Sequence, residues 1–338
     1  MVTACSRPGP VVILPQRVGS PTPFPGAPVG NAAPLGRIRI RAGATSILWG
    51  PMISRRLMPI LLTLFALHGA AWAKPFVFTA VPDDDQTRLQ QRFDGVARYL
   101  SAALSAEVKY IPVKTYEASV SAFKNDQVQM AWFGGLSGVQ ARAGVPGSRA
   151  IVQGDEDREF VTYFIANTST GLQEEKDLPA GVAGKTFTFG AKGSTSGRLM
   201  PEFHVRRRFS KAPEEVFARV GFSGDHSKTI ALVQSGAYQV GAVNFTVWDL
   251  ELKEGKIDPA KVRVIWKTPP YPDYQFTVRG DVDAAYGAGF TERLTKALLA
   301  MHDPALLAAF PRRRMVPARN SDFQPIEDVA KSIGLMDP

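Results

Sequence analysis

The chain has 338 residues, 45% of them apolar, which is enough to bury the core of one large or two modest globular domains. Its formal net charge of +9 is unevenly distributed, because residues 1–73 contain seven arginines and no lysine or acidic residue. Subtracting those seven from the 40 basic residues leaves 33 basic against 31 acidic groups in residues 74–338. This near-neutral balance excludes a strongly basic surface, so we predict no nucleic-acid partner.

Residues 52–73 have the pattern of a cleavable signal peptide. A basic start precedes an apolar run from Leu57 to Leu67, which is too short to span a bilayer. Ala71-Trp72-Ala73 follows as a small-x-small cleavage signal, so we predict cleavage before Lys74 and a periplasmic protein. A lone membrane anchor is the alternative, which the short run and the cleavage signal disfavour.

Residues 1–51 fit neither the signal peptide nor a folded domain. They are rich in proline and glycine, and Met52 is a better start for the signal peptide, so we interpret them as a start codon assigned too far upstream. A disordered extension is the alternative. Cys5, the only cysteine, lies in this stretch, which leaves no disulfide, thiolate metal site or cysteine nucleophile after residue 73. An exported protein without disulfides is typical of the bacterial periplasm.

The first part of the exported chain alternates β-like runs with helical patterns. Apolar residues recur at three- and four-residue steps between Leu89 and Leu104, which predicts a helix. The same stretch predicts strands at Phe76–Ala80, 108–113 and 128–133, and a short helix at Tyr116–Lys124. This order is typical of an α/β domain with a largely parallel sheet.

The same alternation restarts after Gly184. The sequence predicts strands at 185–190, 238–245 and Val262–Lys267, helices from Ser194 and around 230–233, and an amphipathic helix within 289–301. Ligands of open α/β sheets bind outside the carboxyl ends of strands. The segments at these ends are rich in hydroxyls, aromatic rings and backbone N–H groups: 134–135, 190–197, 224–226, Asn244 and 272–274.

The glycine- and hydroxyl-rich loop in "FTFGAKGSTSGRLMPEF" fits neither of two common catalytic or nucleotide-binding motifs. A Walker loop requires lysine after its last glycine, whereas Arg198 follows Gly197. A nucleophile elbow requires serine at its centre, where this chain has Thr195. A helix N-terminus with Ser194, Thr195 and Ser196 would instead bind a tetrahedral oxyanion. The alternative is Ser194 as an ordinary N-cap, and Pro201 predicts a kink or a short first turn.

Other candidate residues keep two interpretations each. His226 begins a predicted helix, where it would donate to an anion and titrate near neutral pH, or would serve only as a cap or surface residue. His204, His226 and His302 lack metal-ligand spacing, so we predict no metal and no cofactor. The arginine runs 206–208 and 312–314 are interpreted as solvated surface.

Four segments resemble the phosphonate/phosphite/phosphate-type substrate-binding proteins of ABC transporters. They are "PVKTYEASVSAFKNDQVQMAWFGGLSGVQA", "KTFTFGAKGSTSGRLMPEF", "GFSGDHSKTIALVQSGAYQVGAVNFTVW" and "YPDYQFTVRGD". The chain is most similar to the subgroup described as selenate-binding. The resemblance covers essentially all of residues 74–338 and none of residues 1–51.

The resemblance implies a two-lobed α/β fold of the type II periplasmic binding proteins, with two mixed sheets flanked by helices and a hinged cleft. Residues 74–166 and 271–338 would form one lobe and residues 167–270 the other. It assigns nine residues to the ligand: Tyr116, Gly134, Ser194, Thr195, Ser196, His226, Asn244, Asp273 and Tyr274. Whether Asp273 or Tyr274 reaches the ligand stays open.

The predicted function is a monomeric solute-binding protein that delivers a small oxyanion to an ABC permease in the inner membrane, without catalysis. A carboxylate at the site favours phosphorus oxyanions that carry a proton, whereas a turned-away Asp273 would suit selenate or sulfate. The alternatives are a hydrolase with Ser196 or Thr195 as nucleophile and His226 as base, or an anion sensor subunit.

Overall fold

A computed structural model describes residues 74–84 and 86–337. The extension predicted for residues 1–51 and the signal peptide predicted for residues 52–73 lie outside the described residues. The strands, β1 to β11 in chain order, are Phe76–Ala80, Val108–Tyr110, Met130–Phe133, Arg149–Gly154, Thr162–Asn167, Thr186–Phe189, Arg219–Phe222, Val240–Asn244, Val262–Lys267, Gln275–Val278 and Met315–Pro317. The helices, α1 to α11, are Gln86–Leu104, Tyr116–Lys124, Gly135–Ala143, Met200–Phe209, Pro213–Val216, His226–Gln234, Phe245–Lys253, Val282–Tyr286, Phe290–Leu299, Pro304–Leu307 and Gln324–Ser332.

The first sheet has six strands in the order β11-β4-β10-β3-β1-β2. Strands β1, β2 and β3 pair in parallel, whereas β10 is antiparallel to both of its neighbours, β3 and β4. The sheet is therefore mixed and not largely parallel as the local sequence pattern predicts. The reason is that β10 returns from the second sheet and inserts between strands formed much earlier in the chain.

The second sheet has five strands in the order β7-β6-β8-β5-β9. Here β5 is the antiparallel strand, between β8 and β9. β5 runs from Thr162 to Asn167 and pairs with β8 and β9, so the lobe boundary expected after Ala166 falls within a strand of the second sheet. Local patterning identifies a strand but not the sheet in which it pairs. The return lies between Lys267 and Gln275, the interval that contains the boundary expected at 270–271.

Both sheets are covered by side chains on two faces. The first has an aromatic core that includes Phe76, Phe78 and Trp132. In the second, the neighbouring residues Phe164 and Ile165 of β5 belong to separate buried clusters, because successive side chains of a strand point to opposite faces. The predicted apolar face of α1 is buried. Within the described residues, no helix is both long and apolar enough to cross a bilayer.

Candidate functional site: an oxyanion cleft between the sheets

Antiparallel pairing in the first sheet places Gly134 and Asp273 at one edge. Phe133, the last residue of β3, is the register partner of Gln275, the first residue of β10. The residues that precede β10 therefore lie beside those that follow β3. There the Gly135 N–H, in the first turn of α3, donates to Asp273 Oδ1 at 2.8 Å.

An edge of the second sheet faces the edge of the first sheet that carries Gly134 and Asp273. Thr162 at the start of β5 is the register partner of Asn244 at the end of β8, and α6 begins nearby at His226. The loop after β6 folds back on itself, since the Gly190 N–H donates to the Gly197 carbonyl at 2.8 Å. A Cβ at Gly197 would lie 3.1 Å from the Cα of Gly190 and 3.1 Å from the His226 ring, so glycine allows this close approach.

The hydroxyl loop runs into a helix through a wide turn. Ser194 Oγ accepts the Gly197 N–H at 2.9 Å, so Ser194 is an N-cap. Residues Thr195–Leu199 form one π-helical turn, in which the Leu199 N–H donates to the Ser194 carbonyl. The α-helix then begins at Met200, which puts Pro201 in its first turn, where no intrahelical donor is needed.

Hydrogen bonds join the two edges across the cleft. Leu136 N–H of α3 donates to Thr195 Oγ1 of the second sheet's loop at 3.0 Å. Asn244 Nδ2 donates to the Tyr274 hydroxyl at 3.2 Å. The two lobes are thus closed on each other in this structure, and side chains assigned to the ligand make the contacts.

The structure brings all nine sequence-assigned residues into one connected, buried group: Tyr116, Gly134, Ser194, Thr195, Ser196, His226, Asn244, Asp273 and Tyr274. Asp273 and Tyr274 both lie in this group. Asn244 acts indirectly, because its Oδ1 accepts the Thr246 N–H as the cap of α7 and its Nδ2 is bound to Tyr274.

Two of these groups are buried with unsatisfied polar atoms. The Tyr116 hydroxyl lies beside the side chains of Ser194 and Tyr274, but no hydrogen bond of good geometry satisfies it. Asp273 has one oxygen on the Gly135 N–H, while its Oδ2 has no partner. Unsatisfied buried polar groups are costly, and at a cleft they indicate atoms that a ligand satisfies. Burial raises the pKa of the Asp273 carboxyl to about 7, against the opposing effect of the Gly135 N–H.

The ring of His226 has a defined proton position. Its Nδ1 lies 3.3 Å from the Asn244 backbone N–H, which can only donate, so Nδ1 accepts. A neutral ring therefore carries its proton on Nε2, 3.5 Å from Ser196 Oγ. Burial lowers the pKa of His226 to about 4, despite the nearby Asp225 carboxylate, and the predicted titration near neutral pH is wrong. His226 is a neutral donor, and a hydrolase would need a free lone pair on Nε2 to activate Ser196.

We expect His226→Gln to keep oxyanion affinity within about tenfold of the wild type and His226→Ala to lose roughly 10- to 100-fold. A glutamine amide places an N–H near the position of Nε2, whereas alanine removes a donor to a charged ligand. Titration calorimetry at pH 5.5 to 8 measures both, and His226→Asn, which reaches only the Nδ1 position, is the matched control. Equal losses in the glutamine and alanine variants would contradict the assignment of the Nε2 proton.

Sequence reasoning missed three residues at the cleft. Asp83 and Asp84 follow the end of β1, and the rule that ligands bind at strand ends applies to them as well. Arg312, read as surface, is buried and forms an ion pair with Asp157. The sequence of the run 312–314 does not indicate that Arg312 is buried whereas Arg313 is exposed.

The structure separates the remaining histidines from the site. His204 lies in α4 against the ring of Trp266, and burial lowers its pKa to about 4. Among the residues that the structure describes, no group of three or more histidine, cysteine or acidic side chains is arranged to hold a metal ion.

The fold and this donor-lined cleft define a two-lobed solute-binding protein. The chain matches, over residues 78–323, the family described as the periplasmic phosphonate substrate-binding proteins of ABC transporters, and it belongs to that family. It is thus a periplasmic substrate-binding protein of an ABC importer with a permease partner in the membrane, and its relatives bind solutes and are not enzymes.

Several known proteins are similar to this chain. The probable ABC transporter phosphite binding protein PhnD1 of Prochlorococcus marinus (strain MIT 9301) is 37% identical over 261 residues, 75% of this chain and 88% of that protein. The structure of PhnD1 in complex with methylphosphonate has a TM-score of 0.74 at 36% identity and covers 78% of this chain and 100% of that one. A binding component of a phosphonate transporter from Pseudomonas aeruginosa shares the fold, with a TM-score of 0.66 at 20% identity, covering 76% and 85% of the two chains.

Proposed function

We propose that this protein binds a tetrahedral phosphorus oxyanion that keeps a proton near neutral pH, such as a phosphonate, phosphite or phosphate. The observation that carries the proposal is the Asp273 carboxyl, which is buried with Oδ2 unpartnered. A buried carboxylate repels a fully ionised dianion, but it forms a strong hydrogen bond when one proton is shared with the ligand. Its pKa of about 7 lets it hold or release that proton at little cost near neutral pH.

The rest of the site supplies donors without a positively charged side chain at the ligand. Ser196, Tyr116 and the Nε2 proton of His226 offer neutral donors. The Thr195 hydroxyl accepts the Leu136 N–H and lies beside the Asp273 carboxyl, so its proton is available to the oxyanion when Asp273 is itself protonated. Helices α2, α3, α6 and α7 all begin at the cleft, as does the π-helical turn, so their positive ends favour an anion. Such a site binds an oxyanion and releases it unchanged. The descriptions of PhnD1 as phosphite-binding and in complex with methylphosphonate support this ligand class.

The proposal also covers removal of the leader, the oligomeric state and the closure of the lobes. The leader is cleaved before Lys74, the protein acts as a monomer in the periplasm, and the lobes close about segments that precede Thr162 and follow Lys267. N-terminal sequencing and light scattering of protein purified from the periplasm test the first two points. Changes of small-angle scattering on ligand addition test the third.

We expect methylphosphonate and phosphite to bind at least 100-fold more tightly than sulfate or selenate at pH 7. A tight ligand also raises the unfolding temperature, because it binds only the native state. The order of affinities is measured by titration calorimetry and thermal unfolding at pH 6 and 8. The ligands are methylphosphonate, phosphite, phosphate, sulfate and selenate.

Asp273→Asn separates charge from shape in this test. The amide is nearly isosteric but carries no charge. We therefore expect phosphonate binding to weaken by about 10- to 100-fold, and the difference in affinity between phosphonates and sulfate or selenate to become smaller. Asp328→Asn, at an exposed position of helix α11, is the matched control. Selenate binding as tight as that of methylphosphonate in the wild type would refute the proposed ligand class.

A further inference from the structure

We infer that Thr162 and Tyr271 are positioning residues for oxyanion binding: their hydroxyl groups hold Ser196 at the ligand and join it to the two segments that connect the sheets. This inference rests on the proposed function, since it concerns how a donor of the same site is held. Neither the sequence patterns nor the resemblance assigns a role to Thr162 or Tyr271.

Pro201 leaves the backbone carbonyl of Ser196 without a donor from its own helix. In the π-helical turn, the N–H groups of Leu199 and Met200 each donate to the carbonyl five residues earlier. The next amide in this series belongs to Pro201, which has no N–H, so the series stops there. Because Ser196 is fully buried, its carbonyl needs a donor from elsewhere in the protein.

The Thr162 hydroxyl is that donor. Thr162 Oγ1 donates to the Ser196 carbonyl at 3.0 Å and lies 2.5 Å from the Tyr271 hydroxyl. A carbonyl can only accept, so the single hydroxyl proton of Thr162 points to Ser196. The proton between the other two oxygens must therefore come from Tyr271. The order of donation is thus Tyr271 to Thr162 to Ser196, and all three residues are buried.

The Tyr271 hydroxyl also lies beside the hydroxyl of Ser196. Because the proton of Tyr271 is used at Thr162, its oxygen can only accept from Ser196. An ionised oxygen is a stronger acceptor than a neutral hydroxyl, so an oxyanion takes the Ser196 proton when it binds. Tyr271 therefore orients the Ser196 hydroxyl before a ligand binds and gives up its proton to the ligand afterwards.

Thr162 and Tyr271 lie where the chain crosses between the two sheets. The backbones of Phe160 and Tyr271 exchange two hydrogen bonds, at 2.8 and 2.9 Å, in an isolated antiparallel bridge. Thr162 is joined to Thr268 in a similar way, since its N–H donates to Thr268 Oγ1 and its carbonyl accepts the Thr268 N–H, both at 3.0 Å. The segments about which we propose that the lobes close are thus hydrogen-bonded to the loop that carries Ser196.

Loss of the Thr162 hydroxyl would leave two buried groups unsatisfied, the Ser196 carbonyl and the Tyr271 hydroxyl. Unsatisfied buried polar groups are costly, so the loop would shift toward other partners, and the Ser196 side chain would move with its backbone. Thr162 therefore acts on the ligand through Ser196 and not through a contact of its own.

Titration calorimetry with methylphosphonate at pH 7 tests this role. We expect Thr162→Val, which keeps the shape but removes the hydroxyl, to weaken binding by about 10- to 100-fold. Thr162→Ser restores the hydroxyl and should stay within about threefold of the wild type, while Tyr271→Phe should lose about 3- to 10-fold. Thr79→Val is the matched control, because Thr79 is equally buried and donates to the Ile111 carbonyl at 2.7 Å in the first sheet. Its affinity should match the wild type.

A double-mutant cycle separates positioning from general stability. If Thr162 acts by holding Ser196, its loss matters little once the Ser196 hydroxyl is gone. We therefore expect Ser196→Ala to lose about 10- to 100-fold and the double variant Thr162→Val/Ser196→Ala to lose less than about threefold more. The double variant Tyr271→Phe/Ser196→Ala provides the same cycle in case Thr162→Val does not fold.

The outcomes separate this inference from the proposed function. Single losses that multiply in the cycle overturn the inference, and so does wild-type affinity in Ser196→Ala or in both Thr162→Val and Tyr271→Phe. In each of these cases the proposed ligand class stands. If the wild type binds neither methylphosphonate nor phosphite, the proposed function fails, and the inference with it.

Discussion

Replacing Arg312 by methionine should lower the free energy of unfolding by about 3–5 kcal/mol, the usual cost of breaking a buried ion pair by removal of one partner. Arg312 Nε and Nη2 contact the two oxygens of Asp157 at 2.7 and 2.6 Å, in a bidentate arrangement. Asp157 is fully buried, and its other acceptor contact is the Gly154 N–H. The methionine variant would leave this carboxylate without its counter-charge.

Urea unfolding of four proteins measures this loss. Arg313→Met is the matched control, because this neighbouring arginine is exposed and its pair with Glu156 lies at the surface, so we expect little change. The double variant Arg312→Met/Asp157→Asn should recover part of the loss, since no uncompensated charge remains. Equal stability of the Arg312→Met and Arg313→Met variants would show that the ion pair is not buried in solution.

The same pair supports the ligand site. The Arg312 guanidinium lies 5.2 Å from the ring centre of Tyr274 and 5.4 Å from that of Phe160. The Asp157 carbonyl accepts the N–H of Asp273 at 2.9 Å. The ion pair thus holds Tyr274 and Asp273 in position from the side away from the ligand. The Arg312→Met variant should therefore also bind methylphosphonate more weakly.

The sequence predicted much of the fold because the responsible patterns are local. The 3- and 4-residue spacing between Leu89 and Leu104 depends only on which face of α1 is buried, and the strand predicted at Val262–Lys267 coincides with β9. The pairing of β5 is a long-range property. The sequence of Thr162–Asn167 does not show whether this strand pairs in the first sheet or in the second, where the structure has it.

The sequence does not predict the protonation and burial of single side chains, because these also depend on long-range contacts. The sequence predicts the helix start at His226, but the low pKa of this histidine depends on burial in the folded protein. Arg312 and Arg313 are identical neighbours, and only the position of Asp157, more than 150 residues earlier, distinguishes them.

Thr195→Val should weaken methylphosphonate binding by about 70-fold or more. The Thr195 hydroxyl accepts the Leu136 N–H across the cleft at 3.0 Å, and its proton, which faces the Asp273 carboxyl, is available to the oxyanion when Asp273 is protonated. Valine keeps the shape and removes both interactions. The unpaired amide costs about 1–3 kcal/mol and the lost bond to a charged ligand about 1.5–3 kcal/mol, which together correspond to a factor of about 70 or more in the dissociation constant.

Thr195→Ser and Thr168→Val are the controls for this substitution. Serine keeps the hydroxyl and should bind within a fewfold of the wild type, whereas Thr168 hydrogen-bonds at the surface, so Thr168→Val should leave ligand binding unchanged. Stopped-flow dissociation adds a second readout: because the Leu136 contact forms only in the closed state, its loss should appear mainly as faster ligand release. A dissociation constant within threefold of the wild type in Thr195→Val would mean that neither the cross-cleft bond nor the Thr195 hydroxyl contributes to capture.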